Sequence, residues 1–226
     1  MQTKRLLGAA LLLCSLQQAA AIDLPAIAGS RFTLPLASMK EIRFQRTLRQ
    51  QYDFSCGSAA VATLLSQHYA MPVSEQFVFE QMYRRGNQQK IRKEGFSLLD
   101  IQLFLANQGF QADGFQLPLQ KLIDARLPAI VLVADKGYHH FVVIKGAADG
   151  RILIGDPSSG TRALTRAAFE TIWTSRLLFV IHHYRGVPGF NSAADWRAAP
   201  RAPLTAGINR DPLSGLTLSK HGPGDF

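Results

Sequence analysis

The cysteine in the stretch RQQYDFSCGSAAVATLLSQHY, residues 49–69, is the strongest candidate for chemistry in this 226-residue chain. The chain has two cysteines, and the first, Cys14, lies in a segment with the features of a removable leader. Without Cys14, Cys56 has no partner for an intramolecular disulfide, and a lone thiol in an oxidising compartment is open to oxidation. A small buried hydrophobe is one interpretation of Cys56. A reactive nucleophile is the other, and the neighbouring residues favour it.

Cys56 is predicted to lie at the start of a helix. Residues 57–69 are rich in Ala and Leu, with Val61, Leu64 and Leu65 at helical spacing, so the helix should begin near residue 55 or 56. A helix N-terminus carries a partial positive charge that favours an anion. We therefore expect this position to lower the pKa of the thiol.

A thiol nucleophile needs an imidazole to accept its proton, and the chain offers six histidines. His68 would lie on the same helix as Cys56, about 18 Å away by helical rise, which is too far for a partner. Three others end a later strand or lie near the C-terminus: His182, His183 and His221. The remaining two, His139 and His140, point to opposite sides of a regular strand, so only one of them can face the thiol.

A carboxylate is expected to reach this histidine pair through a β-hairpin. The segment HFVVIKGAADGRILIGDP, residues 140–157, reads as two strands joined by a turn at Asp149 and Gly150. Antiparallel pairing brings the start of the first strand close to Asp156 at the end of the second. A carboxylate there can hold the imidazole in one tautomer.

The segments around these residues predict helices first and strands second. Ser74 is expected to cap one helix, and Ser97 with Asp100 forms a capping-box pattern at the head of another. Residues 86–95, between these two helices, are predicted to be a polar loop. A shorter helix is predicted within residues 117–127, before Pro128.

After Pro128 the pattern changes to buried strands. Strands are predicted at residues 129–134 and 177–184 in addition to the hairpin, with a helix at residues 164–173. Helices segregated from mainly antiparallel strands do not form alternating parallel crossovers. The sequence therefore predicts an α+β domain in which N-terminal helices pack on a C-terminal, mainly antiparallel sheet.

Both ends of the chain are predicted to lie outside this domain. The N-terminus combines Lys4 and Arg5, an apolar run, and small residues at Ala19 and Ala21, which is the pattern of a secretory signal peptide. The predicted organisation is a signal peptide at residues 1–21, an extension at 22–44, the domain at 45–185, and a flexible Gly/Pro-rich tail at 186–226.

The charge of the exported chain is basic. Removal of the leader leaves 23 of the 25 Lys and Arg residues against 16 Asp and Glu, a net charge of +7. In an exported protein this charge points to anionic surfaces or acidic polypeptides and away from nucleic acid, but the basic residues are scattered with few aromatics between them, so a solvated face is the favoured interpretation. No later segment approaches the ~18 consecutive apolar residues of a membrane span. A periplasmic location with no integral membrane span after signal removal is expected.

Three short patterns occur in order along the chain. Gln50 lies six residues before the pair Cys56 and Gly57, His140 is followed by the residues FVV, and a Gly-Asp-Pro lies at 155–157. At these spacings, over roughly residues 45–182, the chain resembles the double-glycine leader peptidases. These are papain-like cysteine proteases best known as domains of bacteriocin-exporting ABC transporters.

The resemblance implies a papain-like fold and a role for each matching residue. Cys56 would be the nucleophile, His140 the general base and acid, and Asp156 the group that orients His140. Gln50 would supply an oxyanion-hole donor together with the backbone N–H of Cys56. By chemistry alone Gln51 could replace Gln50, and His139 could replace His140. No cluster of histidines and carboxylates has the spacing of metal ligands, so we expect no metal and no cofactor.

The chain departs from the transporter members, which are cytosolic and continue into membrane spans and an ATPase. It has an export leader and no phosphate-binding G-x-x-x-x-G-K-[ST] sequence. It resembles stand-alone exported members associated with functional-amyloid secretion. We expect a periplasmic cysteine endopeptidase whose partners are an exported polypeptide substrate and secretion-system components. The alternatives are a catalytically silent adaptor that binds secreted chains and a papain-like hydrolase of cell-wall peptides.

Overall fold

The computed structural model of the chain describes residues 21–24, 32–35, 37–135 and 137–201. Strands β1 (Ala21–Leu24) and β2 (Phe32–Pro35) pair antiparallel within a unit of their own, residues 1–38. The remaining described residues belong to a second unit. The predicted signal peptide, apart from residue 21, and residues 202–226 of the predicted tail lie outside the described residues.

Five helices of the second unit precede all six strands described in it. They are α1 (Met39–Phe44), α2 (Cys56–His68), α3 (Glu75–Arg85), α4 (Gln88–Glu94) and α5 (Leu98–Asn107). The later helices are α6 (Leu119–Ala125), α7 (Arg166–Ile172) and α8 (Ala193–Trp196). Among the described residues, no helix has the length and apolar character needed to cross a membrane.

Six strands form one sheet in which every hydrogen-bonded pair is antiparallel. They are β3 (Gln111–Gln116), β4 (Ala129–Asp135), β5 (Tyr138–Ala148), β6 (Arg151–Asp156), β7 (Gly160–Thr165) and β8 (Leu177–His182), in the spatial order β3-β8-β4-β5-β6-β7. Helices followed by an antiparallel sheet confirm the predicted α+β class.

Two apolar layers cover the two faces of the sheet. Alternate residues of β5 divide between them: Phe141 and Val143 pack with α2 and α5, whereas Val142 and Ile144 pack with residues of α6 and α7. The first layer includes Cys56 and the fully buried Leu64 and Leu65 of α2. It therefore anchors the helix that carries the thiol directly on the strand that follows the histidine pair.

The local signals read from the sequence are confirmed at several boundaries. The Ser74 side chain accepts a hydrogen bond from the Phe77 amide at the start of α3. Ser97 and Asp100 form the predicted capping box of α5. Asp149 and Gly150 both have positive φ, as a tight hairpin turn between β5 and β6 requires.

The prediction of a polar loop at residues 86–95 is wrong, because α4 lies there. Asn87 caps this helix by accepting a hydrogen bond from the Lys90 amide, and Gly95 ends it at φ 80°. Ile91 is buried in the apolar layer under α2. The buried Ile91, the N-cap Asn87 and the C-terminal Gly95 stabilise this helix, although its polar composition is typical of a loop.

The prediction that the flexible tail begins at residue 186 is also wrong for residues 189–201. The Asn191 side chain bonds both backbone groups of Ala147 in β5, and Phe190 is buried. Asp195 forms an ion pair with Lys145 of β5, and both side chains are fully buried. The compact domain therefore extends beyond residue 185, and this terminal segment holds the counter-ion of a buried lysine.

Candidate active site

Cys56 is the first residue of α2 and is buried. The N-cap Ser55 makes no side-chain capping bond to the helix; its hydroxyl instead accepts hydrogen bonds from the amides of Gln51 and Tyr52, at 3.2 and 3.0 Å. This ST-type turn fixes the path of the chain between residue 50 and the thiol. Ser55 therefore links the predicted oxyanion donor rigidly to the predicted nucleophile.

A side chain at position 57, next to the thiol, would crowd two aromatic residues. A Cβ atom on Gly57 would lie 3.0 Å from Cβ of Phe96 and 3.5 Å from a ring carbon of Phe141. The absence of a side chain lets the first turn of α2 approach these two aromatic residues closely. The glycine of the Cys-Gly pair therefore sets the distance between the thiol and strand β5.

The expected fall in the pKa of Cys56 is not what the structure indicates. Burial raises the pKa of the thiol, and the backbone amides of Phe141, Gly57 and Cys56 itself only partly oppose this rise. The negative charge of Asp156 raises the pKa further. In the free protein these effects favour the protonated thiol, so attack by the sulfur requires a base that removes its proton.

His140 and Cys56 line the same cavity, which has a volume of about 390 Å³. The amide of Phe141, the residue after His140, is close enough to the sulfur to stabilise its anion. His140 is buried, whereas His139 also borders the cavity but is exposed. His68 lies at the far end of α2, where its Nδ1 is 2.6 Å from the carbonyl oxygen of Gly189.

Asp156 holds the ring of His140 through Nε2. The Nε2 to Oδ2 distance is 3.2 Å, and the two side chains are 5% and 2% exposed. Nδ1 of His140 is buried and has no hydrogen-bond partner among the described residues. Because a carboxylate only accepts, Nε2 carries the proton in the neutral ring, and Nδ1 is the nitrogen that can receive a proton from the thiol.

Asp156 is itself held by several donors. Its Oδ1 accepts from the hydroxyl and amide of Ser158, at 2.6 and 2.9 Å, and from the amide of Ser159 at 3.3 Å. Arg162 of β7 donates to Oδ2 at 3.2 Å. Burial by itself would raise the pKa of Asp156, but the hydrogen bonds from His140 and Ser158 hold it well below its ordinary value. The carboxylate is therefore charged at neutral pH.

Gln50 lies on the loop that leads to Cys56, and its backbone amide donates to the carbonyl of Pro157, the residue after Asp156. Its side-chain nitrogen donates to the carbonyl of Tyr52 at 3.0 Å and to that of Asp53 at a longer 3.4 Å. Gln51 is exposed, and its backbone amide donates a hydrogen bond to the Ser55 hydroxyl. The backbone bond brings the Gln50 loop to the end of the strand that carries Asp156.

Several residues that contact the predicted site were missed by sequence reasoning, among them Arg162 and Tyr138 as well as the serines that bind Asp156. Arg162 shares Oδ2 of Asp156 with His140, and Tyr138 stacks on the imidazole of His140 with ring centroids 5.4 Å apart. For Tyr138 the sequence did contain a signal, because residues two apart on a strand lie on the same face and Tyr138 is two residues before His140. Across the described residues, no three His, Cys, Asp or Glu side chains are grouped to hold a metal ion.

A family model described as the peptidase C39 family matches residues 45–183, which is most of this domain. The chain belongs to the peptidase C39 family. It is thus a cysteine peptidase by family, and the sequence-based resemblance to the double-glycine peptidases is confirmed.

Two curated relatives are similar over most of their length. The chain is 37% identical to "Probable functional amyloid protease FapD" of Pseudomonas fluorescens over 169 residues, which are 75% of this chain and 72% of that protein. It is 33% identical to the protein of the same name from Pseudomonas aeruginosa, over 84% of this chain and 81% of the relative.

A solved structure supports the fold. The peptidase domain of Streptococcus ComA, a bi-functional ABC transporter involved in a quorum sensing pathway, matches with a TM-score of 0.51 and 25% sequence identity. The match covers 60% of this chain and 96% of that domain. The α+β architecture is therefore the one found in peptidase domains of this family.

Proposed function

We propose that the protein is a periplasmic thiol endopeptidase that cleaves an exported polypeptide, with Cys56, His140, Asp156 and Gln50 as its catalytic groups. The observation that carries the proposal is the convergence of three elements. Cys56 at the head of α2 and His140 of β5 border one cavity, and Asp156 of β6 holds Nε2 of the imidazole. This is the arrangement that a thiol nucleophile, a general base and an orienting acid require.

The first step follows from the state of the thiol. Nδ1 of His140 accepts the proton from the sulfur of Cys56 as the sulfur bonds to the carbonyl carbon of the scissile peptide. The carbonyl oxygen becomes negatively charged, and the backbone N–H of Cys56 at the helix start is one donor toward it. Gln50 supplies the other donor when the N–H in the longer bond to Asp53 turns toward this oxygen.

The second half of the reaction uses the same imidazole. The imidazolium of His140 gives its proton to the leaving nitrogen, the C–N bond breaks, and a thioester to Cys56 remains. A water molecule then attacks the thioester as His140 removes one of its protons, and the released sulfur regains a proton. Asp156 stays charged throughout and stabilises each imidazolium that forms.

The substrate is proposed to be a component of a functional-amyloid system or of its secretion machinery. The two curated relatives, each named "Probable functional amyloid protease FapD", support this substrate class at 33–37% identity. A Gly-Gly sequence before the scissile bond is the site that membership of the family suggests. The leader pattern at residues 1–21 supports export to the periplasm, where such a chain would pass.

The decisive experiment measures the intact masses of polypeptides that are co-secreted with the protein. Expression of the wild type should yield a shortened product that is absent with Cys56→Ala, and the mass difference gives the cleavage site. His139→Ala and His140→Ala form a matched pair, because the two histidines are neighbours on β5. Cleavage should persist in the first variant and be lost in the second.

Equal product masses with wild type and Cys56→Ala would contradict proteolysis and support a binding role instead. Loss of cleavage with His139→Ala but not with His140→Ala would show that His139, and not His140, is the general base. Incubation of the purified protein with peptidoglycan, followed by chromatography of released peptides, tests the cell-wall alternative. Release of peptides that depends on Cys56 would show that the substrate is cell-wall peptide and not an exported polypeptide.

A further inference from the structure

Tyr138 is the first residue of β5 and makes contacts on both sides of the catalytic residues. Its ring stacks on that of His140, with an interplanar angle of 25° and centroids 5.4 Å apart. Its hydroxyl donates to the carbonyl oxygen of Asp53 at 2.8 Å, across 85 residues of sequence. One side chain thus contacts the predicted base and the loop that precedes the predicted nucleophile.

The loop that Tyr138 reaches is the one that carries Gln50. The carbonyl of Asp53 also accepts the longer, 3.4 Å bond from the side-chain nitrogen of Gln50. Tyr138 and Gln50 therefore share one acceptor, and the Tyr138 hydroxyl occupies the shorter bond. When the Gln50 N–H turns toward an oxyanion, Tyr138 still satisfies this carbonyl, so the loop keeps its position.

The exposure of Tyr138 argues against a role in the core. Its side chain is 50% exposed, so its ring does not belong to either apolar layer of the domain. A tyrosine that is half in solvent and makes one long-range hydrogen bond contributes little to global stability. The contacts of Tyr138 are concentrated instead on groups of the active site.

We infer that Tyr138 is a positioning residue of the peptidase: it fixes the ring plane of His140 by stacking and holds the Gln50 loop through the Asp53 carbonyl. This inference rests on the proposed roles of His140 and Gln50. Among the described residues, the bond to Asp156 is the only hydrogen bond of the His140 ring, because Nδ1 has no partner. The stacked phenol of Tyr138 lies against one face of the ring and limits its tilt.

The test is a graded series at position 138, assayed with a quenched-fluorescent peptide that contains a central Gly-Gly pair. Tyr138→Phe keeps the stack and loses the hydrogen bond, whose typical value corresponds to a fall in kcat of about fivefold. Tyr138→Leu loses both, and the lost ring pair should lower kcat by a further factor of about three to ten. KM and the melting temperature should stay close to the wild-type values in both variants.

Tyr184→Phe is the matched control, because the Tyr184 hydroxyl also donates to a backbone carbonyl, that of Tyr69 at 3.0 Å, but Tyr184 does not line the cavity of Cys56. Its kcat should be that of the wild type. Unchanged kcat in Tyr138→Leu, or a rise in KM alone, would overturn the inference while leaving the proposed peptidase intact. Wild-type protein that shows no Cys56-dependent cleavage would overturn both together.

Discussion

Replacement of Asp156 by Asn should abolish most activity by changing the tautomer of His140. Asparagine has nearly the same shape as aspartate but presents one acceptor and one donor group. Oδ1 of Asp156 accepts three hydrogen bonds, two of them from backbone amides that cannot become acceptors. The carbonyl oxygen of Asn must therefore take the Oδ1 position, and its NH₂ group must take the Oδ2 position.

At the Oδ2 position this NH₂ group would face two donors, His140 Nε2 and Arg162 Nη2, both at 3.2 Å in the wild type. Arginine cannot lose its proton, but the imidazole can move its proton from Nε2 to Nδ1. Nδ1 would then carry the hydrogen and could not accept the proton of Cys56. The opposite orientation of the amide would forfeit the two bonds from backbone amides at about 1 kcal/mol each, because the Ser158 hydroxyl can accept from an NH₂ group but the amides of Ser158 and Ser159 cannot.

Loss of the general base should lower kcat by about 10²–10⁴. The assay is hydrolysis of the Gly-Gly peptide, with the tautomer of His140 read independently from its ¹⁵N chemical shifts. Asp135→Asn is the control, because Asp135 lies 3.8 Å from Arg162 but is 40% exposed and is not bonded to His140. Asp156→Asn activity within tenfold of the wild type would refute the assignment of Nδ1 as the base.

Three further predictions concern the thiol, the terminal segment and the helix start. Alkylation of Cys56 by iodoacetamide in the free protein should increase with pH through a midpoint above about 8.5, since burial raises the thiol pKa; a lower midpoint would indicate a thiolate–imidazolium pair at rest. Asp195→Ala should lower the free energy of unfolding by about 3–5 kcal/mol in urea titrations, because Lys145 keeps a buried charge without its counter-ion. The pKa of Lys145 is lowered to about 8 by burial, so the folded state binds this proton less tightly than the unfolded state. The free energy of unfolding should therefore rise between pH 8 and about 10.4, and this rise should begin at a lower pH in Asp195→Ala. A decrease in the free energy of unfolding of less than about 1 kcal/mol in the variant would contradict the role of the ion pair. Gly57→Val should reduce kcat while the protein still folds, because its side chain would displace Phe96 and shift the thiol, and unchanged kcat would exclude that shift.

The features predicted correctly from sequence are those that depend on neighbouring residues. The capping residues Ser74 and Ser97 and the turn at Asp149 and Gly150 act within four residues, so their patterns are visible without a fold. Strand β4 was equally predictable, because a central strand is buried on both faces and so has a continuous apolar run in its sequence. The order of these elements then sufficed for the α+β class.

The two edge strands were not predicted because pairing, and not composition, makes them strands. In β3 only Ala112 is buried, and Gly114 interrupts the segment, so no alternation is present. Strand β7 is formed by its register with β6, where Asp156 pairs with Gly160 and Ile154 with Arg162. That register is what brings the Arg162 side chain to the carboxylate.

Lys145 is a different case, since the sequence contained half of the signal. A lysine within the apolar run of β5 is unusual, because a buried charge needs a partner. Its partner, Asp195, is 50 positions away in a segment of low apolar content, and only the folded chain shows the pair. The contacts of Tyr138 were likewise hidden, because they depend on a loop 85 residues earlier.

The buried Lys145 has a practical consequence for any shortened recombinant form of this protein. A fragment that stops where the family match stops, at residue 183, keeps every predicted catalytic group yet removes the carboxylate that neutralises the lysine. Such a fragment would lose Phe190, which packs in the same apolar cluster as Ile144 of β5, and would leave the charged Lys145 without a counter-ion. It should therefore aggregate, or fold only in an alkaline buffer in which Lys145 is neutral. A shortened form that folds independently should therefore include Asp195.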